Sequence, residues 1–469
     1  MAPGGGLRSS SRDLPRRAPA KHTRMNKSPL PVSPPPRWYR WAVLVFISLS
    51  MFGNYYVYDS TGPIFDLLKE QLSFTDQQLG LLYTVYSIAA IVVLLLGGYI
   101  IDRFGTKKSI LWFGVICLIA AAVTASSPQI EVMLLGRFML GLGAEPLIVA
   151  VTTALAKWFK GRELSFAFGL NLTFARLGSV AADWSPAWAR TSFSNWQDPL
   201  WLATMIATTC VIGGVLNWIL ENRAQGRYDL GDQGETDKLE LKGLYSFSPS
   251  YWYVVGLCVV FYSTIFPFRA FAIKYFIEAH GLSREAGGFL NSFLPMSAMI
   301  ATPLFGLLVD KIGKRSLFMA AGTVMILPLF LIVTYVPPGP ELHFWMPFFQ
   351  DVSLPLTLLI VMSLLGIVFS LIPAIMWPSV AYIVDQRRLG SAYSLMTLCQ
   401  QVGMAAIPWM IGLLNDAFAA GPENPSGYAA GMWLFTALGA FGLLFSFLLK
   451  RAESGPNAHG LETIRVKKV

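Results

Sequence analysis

A carboxylate and a guanidinium lie deep inside two neighbouring apolar segments of this chain. Glu145 and Arg176 flank a basic turn at residues 158–163, and each lies about equally far from it. If the two segments form a helical hairpin, both charges lie about 20 Å from the turn, past the middle of a hydrocarbon layer about 30 Å thick. A charge at that depth costs at least about 2.5–3.5 kcal/mol, so the pair indicates a function.

An acidic and a basic group at matching depth could hold a small zwitterion by both ends. Glu145 would bind an ammonium, and the planar fork of Arg176 suits a carboxylate bidentately. The alternative is a structural ion pair between the two side chains, and both interpretations can hold at once. The pair therefore predicts a central site for a zwitterionic solute, a buried salt bridge, or both.

Other polar and aromatic side chains inside apolar segments are candidates for lining this site. Asp59 is a second intramembrane carboxylate, which could carry a proton, line the site or cap an irregular helix near Gly62-Pro63. Aromatic residues in such a chain are more often core or interface residues. The substrate-binding candidates besides Glu145 and Arg176 are Tyr58, Asp59, Tyr86, Asn291, Trp377 and Tyr393.

Composition places these residues in a polytopic helical membrane protein. The 469 residues are 54% hydrophobic and 13% charged, against about 25% charged in a soluble protein. The net charge of +9 does not indicate nucleic-acid binding, because the basic residues lie at the ends of apolar runs. Twelve spans are predicted, at about 41–66, 78–101, 108–127, 131–156, 163–186, 198–220, 250–276, 286–310, 315–335, 354–384, 389–415 and 428–449.

The polar stretches divide the chain into two six-helix halves. We expect a disordered tail at 1–37, bundles at 38–222 and 250–450, a linker at 223–249 and a second tail at 451–469. Lys and Arg concentrate in alternate turns, which predicts that both termini and the linker lie in the cytoplasm. These turns include Lys107, Lys160, Lys242, Lys314 and Arg387.

A short motif occurs once in each half at a constant offset. Residues 97–108 align with residues 305–316, so that Gly98, Asp102, Arg103 and Gly105 match Gly306, Asp310, Lys311 and Gly313. The motif matches the signature of the major facilitator superfamily between spans two and three. The resemblance implies an all-α fold of twelve transmembrane helices in two pseudo-symmetric bundles. It also implies that the duplicated motif is a latch that governs movement of the halves.

A second superfamily pattern falls in the fourth span. Arg137, Gly141 and Gly143 resemble its R-x-x-x-G-x-G sequence, in which the small residues allow close helix approach. The resemblance implies that Arg137 lies near the coupling machinery. Alternatively, Arg137 snorkels to the outer interface from its early position in the span.

A narrower resemblance covers most spans in the same order. The residues 141–145, 158–164, 168–170 and 175–178 are similar to the animal lysosomal dipeptide transporters of this superfamily. In that family the residues that match Glu145 and Arg176 engage the two ends of the substrate. Those proteins work with a glycosylated accessory subunit and carry an acidic dileucine sorting signal. This chain lacks that signal, which favours a bacterial homologue in the plasma membrane.

These observations predict a transporter of small zwitterions, chiefly dipeptides, that works by alternating access. Uniport and proton symport both remain open, as does transport of another organic anion or an amino acid, with protons carried by Asp59 or Glu145. A non-transporting receptor or assembly partner is the alternative of another class. The sequence shows no nucleotide-binding loop, H-E-x-x-H motif or nucleophile elbow, and its four cysteines lack metal-ligand spacing. We therefore expect a monomer that is not an enzyme and needs no cofactor or metal.

Overall fold

The computed structural model describes residues 35–94, 97–159, 163–225, 227–228, 247–345, 351–385, 388–456 and 458–463. Across these residues the helices are α1 (Arg37–Asp59), α2 (Phe65–Leu72), α3 (Asp76–Leu94), α4 (Gly97–Phe104), α5 (Thr106–Ser126), α6 (Ile130–Phe159), α7 (Leu164–Asp183), α8 (Ser185–Trp188), α9 (Asp198–Ala224), α10 (Pro249–His280), α11 (Arg284–Ile312), α12 (Arg315–Tyr335), α13 (Leu356–Ile383), α14 (Leu389–Ala417) and α15 (Ala429–Glu453). The strands are β1 (Glu341–Trp345) and β2 (Asp351–Pro355).

The described residues contain twelve helices long and apolar enough to cross a membrane, as the sequence predicts. The first span differs from its predicted form: α1 ends at Asp59, and a 3-10 turn at Gly62–Ile64 leads into α2. Pro63 explains the break, because it cannot donate the backbone hydrogen bond that a continuous helix requires. Helices α9 and α15 run to Ala224 and Glu453, slightly beyond the predicted bundle ends at 222 and 450. The tail at 1–34 and most of the linker lie outside the described residues.

A β-hairpin lies between α12 and α13, in the stretch between the spans predicted at 315–335 and 354–384. Strand β1 pairs antiparallel with β2, with Glu341 opposite Pro355 and Trp345 opposite Asp351. Val352 and Leu354 are buried, and β2 packs on α11 and α13. We call this end of the bundle the hairpin face, and the end where α1 begins and α15 ends the termini face.

The second glycine of the duplicated motif has a positive φ angle in both halves. Gly105 and Gly313 have φ angles of 78° and 74°, a region that side-chain-bearing residues rarely adopt, and each precedes a membrane-spanning helix. In the second copy, Arg315 Nη2 donates to Asp310 Oδ1 at 2.9 Å. The side chain of Asp102 in the first copy lies outside the described set. The positive φ angle accounts for the glycine at each position.

The two halves touch closely near the hairpin face. Helix α3 of the first half packs along α14 of the second, and α7 packs along α11. A Cβ atom on Gly412 would lie 2.1 Å from the carbonyl oxygen of Asp76, and one on Gly288 would lie 2.1 Å from that of Asp183. Neither position therefore tolerates a side chain while the halves stay in contact.

Ion pairs reinforce this contact. Those that join the halves among the described residues all lie towards the hairpin face: Arg284–Asp66, Arg190–Glu285, Lys274–Asp76, Arg269–Asp59 and Arg269–Asp183. The cross-half hydrogen bonds nearest the termini face are Gln401 to Glu145 and Arg176 to Thr302, both near mid-membrane. Between described residues, no cross-half ion pair or hydrogen bond lies closer to the termini face. These ion pairs and close backbone contacts hold the hairpin face closed.

Candidate substrate site

A cavity of about 180 Å³ lies between the halves near the middle of the bundle. Helices α1, α3 and α6 of the first half and α10, α13 and α14 of the second contribute its wall. Glu145 carries the one formal charge among the described lining residues, beside the amides of Asn54, Gln400 and Gln401. Aromatic rings from both halves form much of the remainder, including Tyr86 and Trp377 as the sequence predicts.

The Glu145 carboxylate is held from both halves. Its Oε1 accepts hydrogen bonds from Tyr86 Oη at 3.0 Å and from Gln401 Nε2 at 3.1 Å. Glu145 lies 14 residues before the end of α6 at Phe159, about 21 Å along the helix. An acidic side chain at this depth, in contact with a cavity, can bind a cationic group.

Arg176 lies at a comparable depth, 12 residues into α7 or about 18 Å from its start. It lines a second cavity, of about 440 Å³, between α7 and α11. Its Nη1 donates to Thr302 Oγ1 at 3.1 Å, and no ion pair joins it to Glu145 in the described structure. The structural salt bridge considered from the sequence is therefore not formed in this conformation.

Two tyrosines link the surroundings of the two charges. Tyr55 and Tyr262 both line the central cavity. Tyr55 is close enough to Glu145 and to Arg176 to interact electrostatically with each, and Tyr262 is close enough to interact with Arg176. These two phenol rings therefore belong to the central cavity and lie near Arg176 as well.

Arg137 lies beneath the aromatic wall of the cavity. It is 1% exposed, and it donates to the carbonyl oxygens of Val57, Tyr58 and Leu82 at 3.1–3.3 Å. Its guanidinium also lies 4.8–5.8 Å from the ring centroids of Tyr58, Tyr83 and Tyr86. The snorkelling alternative is therefore wrong, because Arg137 is fully buried. Gly141 and Gly143 pack against α3 and α5, as the small-residue pattern predicts.

Asp59 does not line the cavity, which corrects one expectation from the sequence. Its carboxylate pairs with Arg269 of α10, and the side chain is 8% exposed. Arg269 also donates to Asp183 Oδ2 at 2.7 Å. Asp59 therefore belongs to a buried cluster on the hairpin side of the cavity, beyond Tyr58.

Asn291 and Tyr393 also lie outside the central cavity lining. Asn291 Nδ2 donates to Asp183 Oδ1 at 2.9 Å and to the carbonyl oxygen of Arg269 at 3.3 Å, so it completes the buried cluster. Tyr393 Oη donates to the carbonyl oxygen of Trp377 at 3.1 Å, and their rings lie 5.8 Å apart. Tyr393 therefore contacts Trp377, which lines the cavity, without lining the cavity itself.

The sequence reasoning missed several residues that the structure places in or beside the site. Arg269 and Asp183 are charged residues inside apolar segments, so the rule that selected Glu145 could also have found them. Gln401, Tyr55 and Tyr262 carry no comparable signal, because uncharged polar and aromatic residues are common in spans. Their role is visible only once the two halves are placed together.

Comparison with known families agrees with this architecture. The family model described as Major Facilitator Superfamily matches residues 47–349 and 268–466. The chain belongs to this superfamily, and it is a membrane transporter rather than an enzyme.

Among curated proteins the chain is similar to "Lysosomal dipeptide transporter MFSD1" from several animals. It is 31% identical to the Bos taurus protein over 395 residues, which cover 81% of this chain and 80% of the relative. It is 30% identical to the Homo sapiens protein over 437 residues, which cover 89% and 88%. A solved bacterial homologue of the human lysosomal transporter Spinster has the same fold, with a TM-score of 0.64 at 16% identity, covering 89% of this chain and 98% of that one.

Proposed function

We propose that this protein transports dipeptides by alternating access, with Glu145 binding the free amino end and Arg176 the free carboxylate. The observation that carries the proposal is the unpaired state of these two opposite charges. They lie at similar depth in adjacent helices, and each lines a cavity. Two opposite charges inside the bundle that do not neutralise each other are costly unless a ligand uses them.

The chemistry of the two groups fits the two ends of a dipeptide. A carboxylate attracts an ammonium, while the guanidinium fork binds a carboxylate with two parallel hydrogen bonds. The wall between them is aromatic and amide-rich, which suits a peptide bond and varied side chains. The relatives at 30–31% identity carry the name of dipeptide transporters, which supports the same substrate class here.

Movement of the halves would follow from the closed hairpin face. In this conformation a ligand would exchange through the termini face, where the described residues form no cross-half bond. Separation of the hairpin face would then require Arg269, Lys274 and Arg284 to exchange partners. The duplicated motif at Asp102 and Asp310 would govern the reverse closure at the termini face.

We further propose a bacterial plasma membrane location, with the termini face in the cytoplasm. Among the described residues, the Lys and Arg of the hairpin-face turns that the sequence shows are Lys69, Arg190, Lys274 and Arg284, and each is paired with a carboxylate. The turns in which the sequence concentrates Lys and Arg, such as those at Lys107 and Lys314, belong to the termini face, so the positive-inside rule would place that face in the cytoplasm. A monomer would suffice for transport, since both cavities lie within one chain.

Uptake by reconstituted protein tests this function. Purified protein in lipid vesicles should accumulate a labelled dipeptide to equilibrium, and unlabelled dipeptide should compete for entry. Repeating the assay with an imposed proton gradient distinguishes uniport from proton symport. A protein that binds dipeptides without moving them would instead be a receptor.

Transport of another organic anion is the second candidate, because Arg176 has a cavity of its own. Its prediction differs from that of dipeptide transport. A small organic anion without an ammonium should then compete for uptake, and Glu145→Gln should leave that competition intact. Failure of dipeptides together with this result would favour the anion transporter.

A further inference from the structure

We propose that Gln401 is a second substrate-binding residue, whose amide oxygen accepts a hydrogen bond from the amino-terminal ammonium beside Glu145. The inference deepens the proposed function and rests on it, because it concerns the same amino-end site. It also assigns a role to the half of the protein that faces Glu145.

Gln401 reaches the site from α14, in the opposite half from Glu145. Its Nε2 donates to Glu145 Oε1 at 3.1 Å, and the residue is 2% exposed while it still borders the cavity. The amide is therefore held in place by the acidic group itself. Its orientation follows from chemistry, because only the nitrogen of the amide can donate to a carboxylate.

The amide oxygen of Gln401 is buried and has no hydrogen-bond partner within the described structure. A buried acceptor without a partner costs about 1–3 kcal/mol, so such atoms usually have a ligand or a water. The neighbouring Gln400 provides a comparison, because its Oε1 lies 3.5 Å from the thiol of Cys258. Both glutamines line the same cavity, and Gln401 is the one whose oxygen is left for a donor.

Glu145 offers a matching acceptor. Both of its hydrogen bonds to described residues end on Oε1, and none ends on Oε2. Gln401 Oε1 and Nε2 are bonded to the same carbon, and so are Glu145 Oε1 and Oε2. The two free oxygens are therefore each one carbon away from the atoms of the 3.1 Å hydrogen bond. An ammonium carries enough N–H donors to satisfy Glu145 Oε2 and Gln401 Oε1 together.

This arrangement gives the substrate a bridging role between the halves. The ammonium would be held by a charge on α6 and by a neutral acceptor on α14. Binding at the amino end would then add a second link between the halves at mid-membrane, beside the direct hydrogen bond from Gln401 to Glu145.

Methylation of the substrate nitrogen tests the bridge. A dipeptide has three N–H donors at its amino end, its N-methyl form has two, and its N,N-dimethyl form has one. Two acceptors need two donors, so the parent protein should bind the N,N-dimethyl form about 10- to 100-fold more weakly than the N-methyl form. Affinities are measured by the ligand-dependent rise in melting temperature of the purified full-length protein.

The variant Gln401→Met removes the acceptor at similar length, and the difference between the two methylated ligands should fall to a few-fold. Gln401→Glu keeps an acceptor and should keep the difference. Thr84→Val is the matched control, because it removes the cross-half hydrogen bond from Thr84 to the Ala405 carbonyl of α14 outside the cavity. It should keep the parent difference even if the protein melts earlier.

If Gln401→Met keeps the parent's difference in affinity between the two methylated ligands, the inference is wrong. It is also wrong if Thr84→Val loses that difference to the same extent, because such a loss would indicate a general loosening of the halves. A parent that binds dipeptides without distinguishing the methylated forms overturns the role of Gln401 alone. A parent that binds no dipeptide overturns the proposed function with it.

Discussion

Removal of the Arg269 guanidinium should open the hairpin face. Arg269 is the cation between Asp59 and Asp183, and the side chains of all three residues are at least 92% buried. Arg269→Gln would leave two carboxylates in a protein interior with Asn291 as their remaining described donor from the second half. Loss of one partner from a buried ion pair costs about 3–5 kcal/mol.

The protein can relieve this cost by separating the halves and admitting water to the carboxylates. If most of the penalty falls on the closed form, the equilibrium should move towards the open hairpin face by about a hundred- to a few-thousand-fold. The described hydrogen bonds of Arg137 go to three backbone carbonyls beneath the aromatic wall and to neither carboxylate.

Spin labels can measure this shift. Glu131 and Glu423 are exposed, lie at the hairpin face and belong to opposite halves, so cysteines there can carry the labels. The half-buried Cys399 is replaced by serine to avoid labelling, while Cys117, Cys210 and Cys258 are buried. Arg269→Gln should lengthen the distance between the two labels. The triple variant Arg269→Gln, Asp59→Asn, Asp183→Asn should restore the distance of the parent protein. An unchanged distance in the single variant would refute the assignment of this cluster as a lock between the halves.

Two further variants test the contact between the halves and the latch. Gly288→Ala should lengthen the same label distance, because its Cβ would lie 2.1 Å from the Asp183 carbonyl oxygen. Gly287→Ala is the control and should leave the distance as in the parent, because its Cβ would make an ordinary 3.4 Å contact with Ile273. Asp310→Ala should slow dipeptide uptake at least several-fold while changing affinity by less than about twofold, because the Asp310–Arg315 pair lies at the termini face, away from both charges of the site. A loss of affinity that matches the loss of rate would argue against a latch.

The sequence predicts the membrane architecture well because each span carries its own signal. An apolar run of about 20 residues identifies a helix without reference to the rest of the chain. The constant offset between the motifs at Asp102 and Asp310 predicts the two halves in the same way. The pairing of the strands at 341–345 and 351–355 escapes this reasoning, because two five-residue strands give a weak pattern.

The site is only partly predictable, because it depends on contacts between distant segments. Glu145 and Arg176 are visible as isolated charges in apolar runs. The assignment of Asp59 to a cluster with Arg269 is not visible, since the partners lie 210 residues apart and meet only when the hairpin face is closed. The separation of the two charges into neighbouring cavities likewise reflects how α7 packs on α11, which span-by-span reasoning cannot predict.

The central claim is that Glu145 and Arg176 bind opposite ends of one substrate. Equilibrium binding of a dipeptide, its N-acetyl form and its carboxyl-terminal amide tests this most directly, in the parent protein, Glu145→Gln and Arg176→Gln. The parent should bind the free dipeptide and reject both blocked forms by about 10- to 100-fold. N-acetylation should matter little in Glu145→Gln, and amidation should matter little in Arg176→Gln. If both variants instead weaken all three ligands by the same factor, the two charges do not read the ends of the substrate, and the account of the site is wrong.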